Sequence, residues 1–265
     1  MMTLLNLLPP TEYGLPLVSM SLAIVAFSYA VVGHAGASGY IAVFALANAS
    51  PEQIKPVALM LNLIVASVGC WNFLRAGHLP LREIWPVYIL SLPMALLGGW
   101  LNLPGQWFRP IVGVVLLLSA WRLGTELEDP STLSRPSRSI LLLTGGGLGL
   151  LAGITGTGGG VFLTPLMLIF RWCSTREASA VSVLFILMNS AAGLTGWSLA
   201  HIDGLGQPIT QNLSSWILIV LISGTIGSRL GSRHWPVTWI RRCLALVLIF
   251  AAVKLMGLIP IALGN

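Results

Sequence analysis

Apolar residues fill this 265-residue chain in long blocks, parted only by short polar or proline-marked intervals. Charges and prolines divide it into about ten segments, at 15–33, 37–50, 54–74, 84–102, 108–122, 139–153, 158–170, 176–200, 213–230 and 240–258. Most approach the roughly 20 residues that an α-helix needs to cross a bilayer. The second and seventh fall well short of that length. They read as half-helices, tilted pieces or re-entrant hairpins. The pattern predicts an all-α polytopic membrane protein with about ten transmembrane segments. The longest polar connection, 123–138, separates a first repeat of five segments (1–122) from a second (139–265) and reads as a cytoplasmic linker.

One block resists a single crossing. The whole stretch from Ser139 to Phe170 carries no charge. As a straight helix it would run to about 48 Å against a hydrocarbon core of about 30 Å. Glycines interrupt its centre: Gly153-Ile-Thr-Gly156-Thr-Gly-Gly-Gly160, followed by Pro165. Two helices meeting at an unwound point inside the membrane fit this pattern. Non-helical backbone at that depth is tolerated where protein buries it or where it lines a cavity.

Composition agrees. Mean hydropathy is +0.87 and only 8% of residues are charged, against about 25% in a soluble domain. The pI near 9.8 does not imply nucleic acid, because the arginines are scattered between apolar segments. Cys70, Cys173 and Cys243 lie far apart without metal-ligand spacing and read as single buried thiols. No basic stretch precedes the first apolar run, which reads as a retained span. With ten crossings and both termini outside, Arg75, Arg82, Arg122, Arg135, Arg138, Arg171, Arg176, Arg229, Arg233, Arg241 and Arg242 fall on the cytoplasmic side. Only Lys55, Arg109 and Lys254 of the 14 basic residues fall outside. That register obeys the positive-inside rule.

Five segments per half turn the second half upside down relative to the first, an inverted repeat of the kind found in secondary transporters. Gly33, Gly36 and Gly39 precede Gly153, Gly156 and Gly159 in the same order and spacing, and Ala66-Ser-Val-Gly69 likewise precedes Ser190-Ala-Ala-Gly193. Arg109 and Arg241 open the last segment of each half.

The glycines admit two roles. Gly145, Gly149 and Gly153, like Gly227 and Gly231, are spaced for close helix packing. Three consecutive glycines at 158–160 weaken a helix by about 1 kcal/mol each, more than packing requires. They fit a break that opens the next helix with free N–H groups, a place where an anion binds without a buried Arg or Lys. Lys254 is the only basic residue well inside a segment by this map. The neutral polar residues within segments are His34, Ser38, Asn62, Ser67, Asn72, Thr155, Thr157, Thr164, Ser182 and Asn189. Asn62 and Asn189 either bridge helices or face a cavity. His34 could titrate near neutral pH or be a satisfied core histidine. Most of the ten Trp flank segments as interface anchors, while Trp71 and Trp197 could line the cavity.

The run Gly149-Leu-Leu-Ala-Gly153-Ile-Thr-Gly156-Thr-Gly158-Gly159-Gly160-Val-Phe-Leu-Thr-Pro165 resembles the glycine-rich signature of the sulfite exporter TauE/SafE family of membrane transporters. The resemblance implies a multi-pass protein of the bacterial cytoplasmic membrane moving sulfite, sulfonates or related organic anions. It also implies that Gly153, Gly156, Gly158, Gly159, Gly160 and Pro165 hold a helix break at the substrate cavity. The first-half counterpart, Gly33-His-Ala-Gly36-Ala-Ser-Gly39, departs from the signature: it lacks the triple glycine and the following proline.

Two other classes compete. Gly36-Ala-Ser38-Gly39 and Ala200-His201-Ile-Asp-Gly204 look like the motifs of a rhomboid intramembrane protease, though Ser38 and His201 lie in opposite halves of the chain. A channel or scaffold is the third reading. The preferred reading is not an enzyme but a secondary transporter of small anions working by alternating access. Its substrate-binding candidates are Thr155, Gly156, Thr157, Gly158, Gly159, Gly160, Thr164, Gly33, His34, Gly36, Ser38, Gly39, Asn62 and Asn189. No ATP-binding motif, cofactor motif or metal-ligand set is present in the sequence. The expected partners are the small anion and the lipid bilayer, not nucleic acid. The cargo, the direction, the coupling ion and any homo-oligomer stay open.

Overall fold

The computed structural model describes residues 14–257 apart from 32–33, 48, 50, 76, 78, 102, 126–131, 202–211 and 232–237. Every regular element among them is helical: α1 (Gly14–Val31), α2 (Ala37–Leu46), α3 (Pro51–Arg75), α4 (Leu81–Ile84), α5 (Pro86–Trp100), α6 (Gly105–Gly124), α7 (Arg138–Thr155), α8 (Gly160–Ile169), α9 (Thr175–Ala200), α10 (Leu213–Gly231) and α11 (Thr238–Leu255). Ten of these answer to the ten apolar segments. The exception, α4, is a single turn set apart by Pro86, which lacks an N–H and so starts α5.

By length and composition, the segments Gln53–Arg75, Arg138–Thr155, Arg176–Ala200 and Leu213–Leu230 are each apolar enough to cross a membrane. Large apolar side chains face outward on several helices, among them Leu17 and Met20 on α1, Leu143 on α7, Leu218 on α10 and Leu246 on α11. Such a belt is intolerable in water and natural against lipid. The chain is therefore a multi-pass membrane protein.

The two short segments occupy the centre. Residues 37–45 of α2 are all buried, as are most residues of α8. Around them, α2 touches α1, α3, α6 and α11, while α8 touches α9 and α6. The long helices α3 and α9 lie against each other, α5 rests on both α7 and α9, and α1 rests on α10. Both α2 and α8 are shorter than the apolar blocks that predict them, because each block also takes in turn residues at its ends.

Glycine sets the closest approach. A methyl group at Gly145, Gly149 or Gly153 would collide with the carbonyl of Val87, Ser91 or Ala95, respectively. Both series advance by four, so α5 and α7 run parallel with their backbones in contact. This confirms packing as the role of those three glycines. It also corrects the expectation for Gly153, which lies inside α7 rather than in the break. Pro165 likewise lies inside α8.

The two short helices open alike. Gly36 and Gly159 each stand immediately before a short helix. Gly36 and Gly159 therefore hold the same place, each as the N-cap of a short helix.

Candidate functional site

The uncharged block does break. α7 ends at Thr155, α8 begins at Gly160, and the turn between them has Gly156, Gly158 and Gly159 at φ +78°, +70° and +79°. Side chains rarely adopt that backbone, which explains why the residues there are glycines. Gly159 is the N-cap of α8 and supplies no side-chain cap, so the first N–H groups of α8 are left for another acceptor. Residues 155–160 are all buried.

Depth follows from the neighbours. A Cβ on Gly158 would lie 2.8 Å from Ile186, 2.9 Å from the Ser190 hydroxyl and 3.2 Å from the Asn62 amide nitrogen. Asn62 and Ile186 each stand near the middle of a membrane-length helix, α3 and α9. The break therefore lies at mid-length of the two central helices.

Unpaired polar side chains are buried in the central helices α2, α3 and α9. Asn62, Asn189, Ser190 and Tyr40 are fully buried, and the Asn62 and Asn189 amides and the Ser190 and Tyr40 hydroxyls have no hydrogen-bond partner. Leaving one such group unpaired costs about 1–3 kcal/mol, and proteins retain few of them without a reason. Neither asparagine is the helix bridge that the sequence allowed. Thr155 and Thr157 pair with each other at 2.9 Å. Thr164 donates to the Ser182 hydroxyl at 2.7 Å and lies 3.3 Å from His34 Nε2, which links the α8 arm to the segment before α2.

The first-half break is plainer. Gly36, at φ +93°, is the N-cap of α2, again without a side-chain cap. Ser38 is paired with the Tyr29 hydroxyl at 2.8 Å, and Gly39 packs against Val25 and Tyr29. Gly33 lies outside the described residues. His34 and Ala35 reach a small cleft formed with Ala30, Val65, Ala66, Gly69, Phe73, Val183, Gly224 and Ser228.

Several expectations fall. Trp71 is 57% exposed beneath Arg75 and does not line the cavity, and Trp197 stacks on His201 at the end of α9. Ser38 bonds Tyr29 while His201 bonds the Trp197 carbonyl, so no Ser–His dyad forms. Lys254 is not the one cation within the segments. Lys55, assigned from sequence to a loop end, is 5% exposed and donates to the carbonyls of Gly98, Gly99 and Leu101 at 2.9, 2.8 and 3.1 Å. Ser190 was visible only as part of the repeated Ser-Ala-Ala-Gly string.

The sulfite exporter TauE/SafE family model matches residues 20–255, which takes in every helix that builds the break. The chain belongs to the TauE/SafE family. It is also 37% identical over 238 residues to the probable membrane transporter protein y4hK of Sinorhizobium fredii, covering 88% of this chain and 94% of that protein. No solved structure matches it. This TauE/SafE protein is thus a membrane transporter and not an enzyme, and the protease reading has no support.

Proposed function

We propose that this TauE/SafE protein carries small anions, such as sulfite, organosulfonates or related organic acids, by alternating access at the mid-length break. The supporting observation is the pairing of an uncapped α8 N-terminus with unpartnered donors of Asn62 and Ser190 around Gly158. An oxyanion has only acceptors, and these groups offer N–H and O–H donors beside the positive end of a helix. In this reading Gly158, Gly159, Gly160, Asn62, Asn189 and Ser190 hold the anion. Thr155, Thr157, Thr164 and His34 shape the wall, and Gly36, Ser38 and Gly39 form the opposing arm.

The two halves, 1–122 and 139–265 around the linker 123–138, act as inverted repeats. Exchanging α1, α2, α3, α5 and α6 for α7, α8, α9, α10 and α11 maps most helix contacts onto one another. The α5–α7 contact becomes α10–α1, α5–α9 becomes α10–α3, and α2–α11 becomes α8–α6. This exchange supports the repeat reading. The arginine-rich ends face the cytoplasm of a bacterial inner membrane, with both termini outside.

Counterflow of a labelled sulfonate in proteoliposomes tests the reading. Uptake that grows with trapped unlabelled sulfonate is expected. Its absence across sulfonates, sulfite and small carboxylates would overturn the proposal.

A further inference from the structure

We propose that Lys55 is a one-sided latch that holds this transporter shut at the end remote from the cleft. The inference rests on the alternating-access reading. Three features fall in order along α3 and, in reverse, along α9. The cleft is lined by Val65, Ala66, Gly69 and Phe73 of α3 and by Val183 of α9. The break touches Asn62 and both Ile186 and Ser190. Beyond it, Lys55 of α3 reaches the C-terminus of α5, where Gly99 meets the backbone of Gly193 in α9. From Lys55 to Gly69 is about 21 Å of helix. The break therefore lies between the cleft end and the Lys55 end, which is the closed one.

The closed end is sealed by backbone. A methyl group on Gly98 would strike Leu150, Gly153 and Ile154 of α7, and one on Gly196 would strike Leu96 and Trp100 of α5. Lys55 completes this seal with three hydrogen bonds to the last carbonyls of α5. Those carbonyls lie at or beside the negative end of the helix and have no further turn to bond them. A Cβ on Gly156 would lie 3.1 Å from the Lys55 carbonyl, so the latch also borders the break. No carboxylate pairs with Lys55 among the described residues.

The matching trio at the cleft end, α1, α3 and α10, is held by neutral groups. Gly227 meets the Phe27 backbone, Gly224 meets the side chain of Val65, and Asn72 of α3 donates to the Ser228 hydroxyl of α10 at 2.8 Å. Ser179 holds the fifth position of α9 as Lys55 holds the fifth of α3. A hydroxyl has one hydrogen to donate, an ammonium three. A buried ammonium with three bonds thus holds one end and an exposed neutral bond the other, and this difference biases the resting protein toward opening at the cleft. Lys55 acts through α5 and is a positioning residue, not a ligand of the cargo, since its three donors are taken.

Accessibility reports the bias without any cargo. In protein whose native cysteines are replaced by alanine, Phe73→Cys reports the cleft and Leu59→Cys, packed on Gly193, reports the latched end. A membrane-impermeant maleimide should label Phe73→Cys and spare Leu59→Cys. Lys55→Met should raise the Leu59→Cys rate about tenfold and lower the Phe73→Cys rate, a shift of the two-state population. Lys55→Gln should be intermediate, and Lys55→Arg should restore the original pattern. Equal labelling of both reporters with Lys55 intact overturns the latch, a result that needs no Lys55 variant to fold. Unchanged reporters in both Lys55→Met and Lys55→Gln also overturn it. Sulfonate counterflow with unmoved reporters removes the latch and keeps the transport reading. Reporters that switch in a protein moving no anion do the reverse.

Discussion

At the scale of single residues, the break carries a cost in stability. Asn62 is buried with both amide atoms unpaired. Asn62→Leu removes that penalty while roughly keeping volume. The variant is expected to be as stable as the parent or more so, by about 1–3 kcal/mol. It should also lose the thermal shift that a sulfonate gives the parent, and paired melting curves with and without sulfonate measure both. Gly159 tolerates no such exchange. Its φ is +79° and a Cβ would sit 2.8 Å from Phe185. Gly159→Val should abolish counterflow while the protein still reaches the membrane, read by flux against surface-labelled amount. The break was legible in the sequence because three adjacent glycines have no ordinary place in an uncharged helix. Lys55 was not legible, since its partners are main-chain carbonyls at the far end of another helix, α5, and carbonyls leave no mark in a sequence.

At the scale of elements, segment boundaries followed the apolar blocks closely because charged residues are costly in lipid and so mark the ends of helices there. Glu177 shows the rule working at a boundary. It closes a capping box with Ser174 at the start of α9, with the Ser174 N–H 2.9 Å from its carboxylate. What the blocks could not convey was which glycines pack and which unwind. Both kinds lie within one run, and only the partner helix separates them: Gly145, Gly149 and Gly153 have α5 against them, while Gly158 has polar side chains. The α5–α7 seam should therefore fail where the break would not. Gly149→Leu is expected to prevent assembly, seen as loss of the monodisperse peak in detergent, because its side chain would displace the Ser91 backbone. Ala152→Gly, one helix face away, should leave that peak in place and weaken α7 by about 1 kcal/mol.

At the scale of the whole molecule, the short helices α2 and α8 form a buried centre and the long helices the frame. A count of apolar blocks gives the number of crossings but not this nesting. The nesting depends on tertiary contacts between segments from opposite halves of the chain, such as α3 with α9 and α2 with α11. Residues 155–164 include no charged side chain, and peptide dipoles provide their positive end. In the proposed cycle the residues of the break would add no side-chain charge of their own to that of the cargo. Current during turnover would then count the cargo alone. Each 100 mV, negative inside, is worth about 2.3 kcal/mol to a monovalent anion. Such a voltage would by itself drive the anion outward, with no second ion needed to power the cycle.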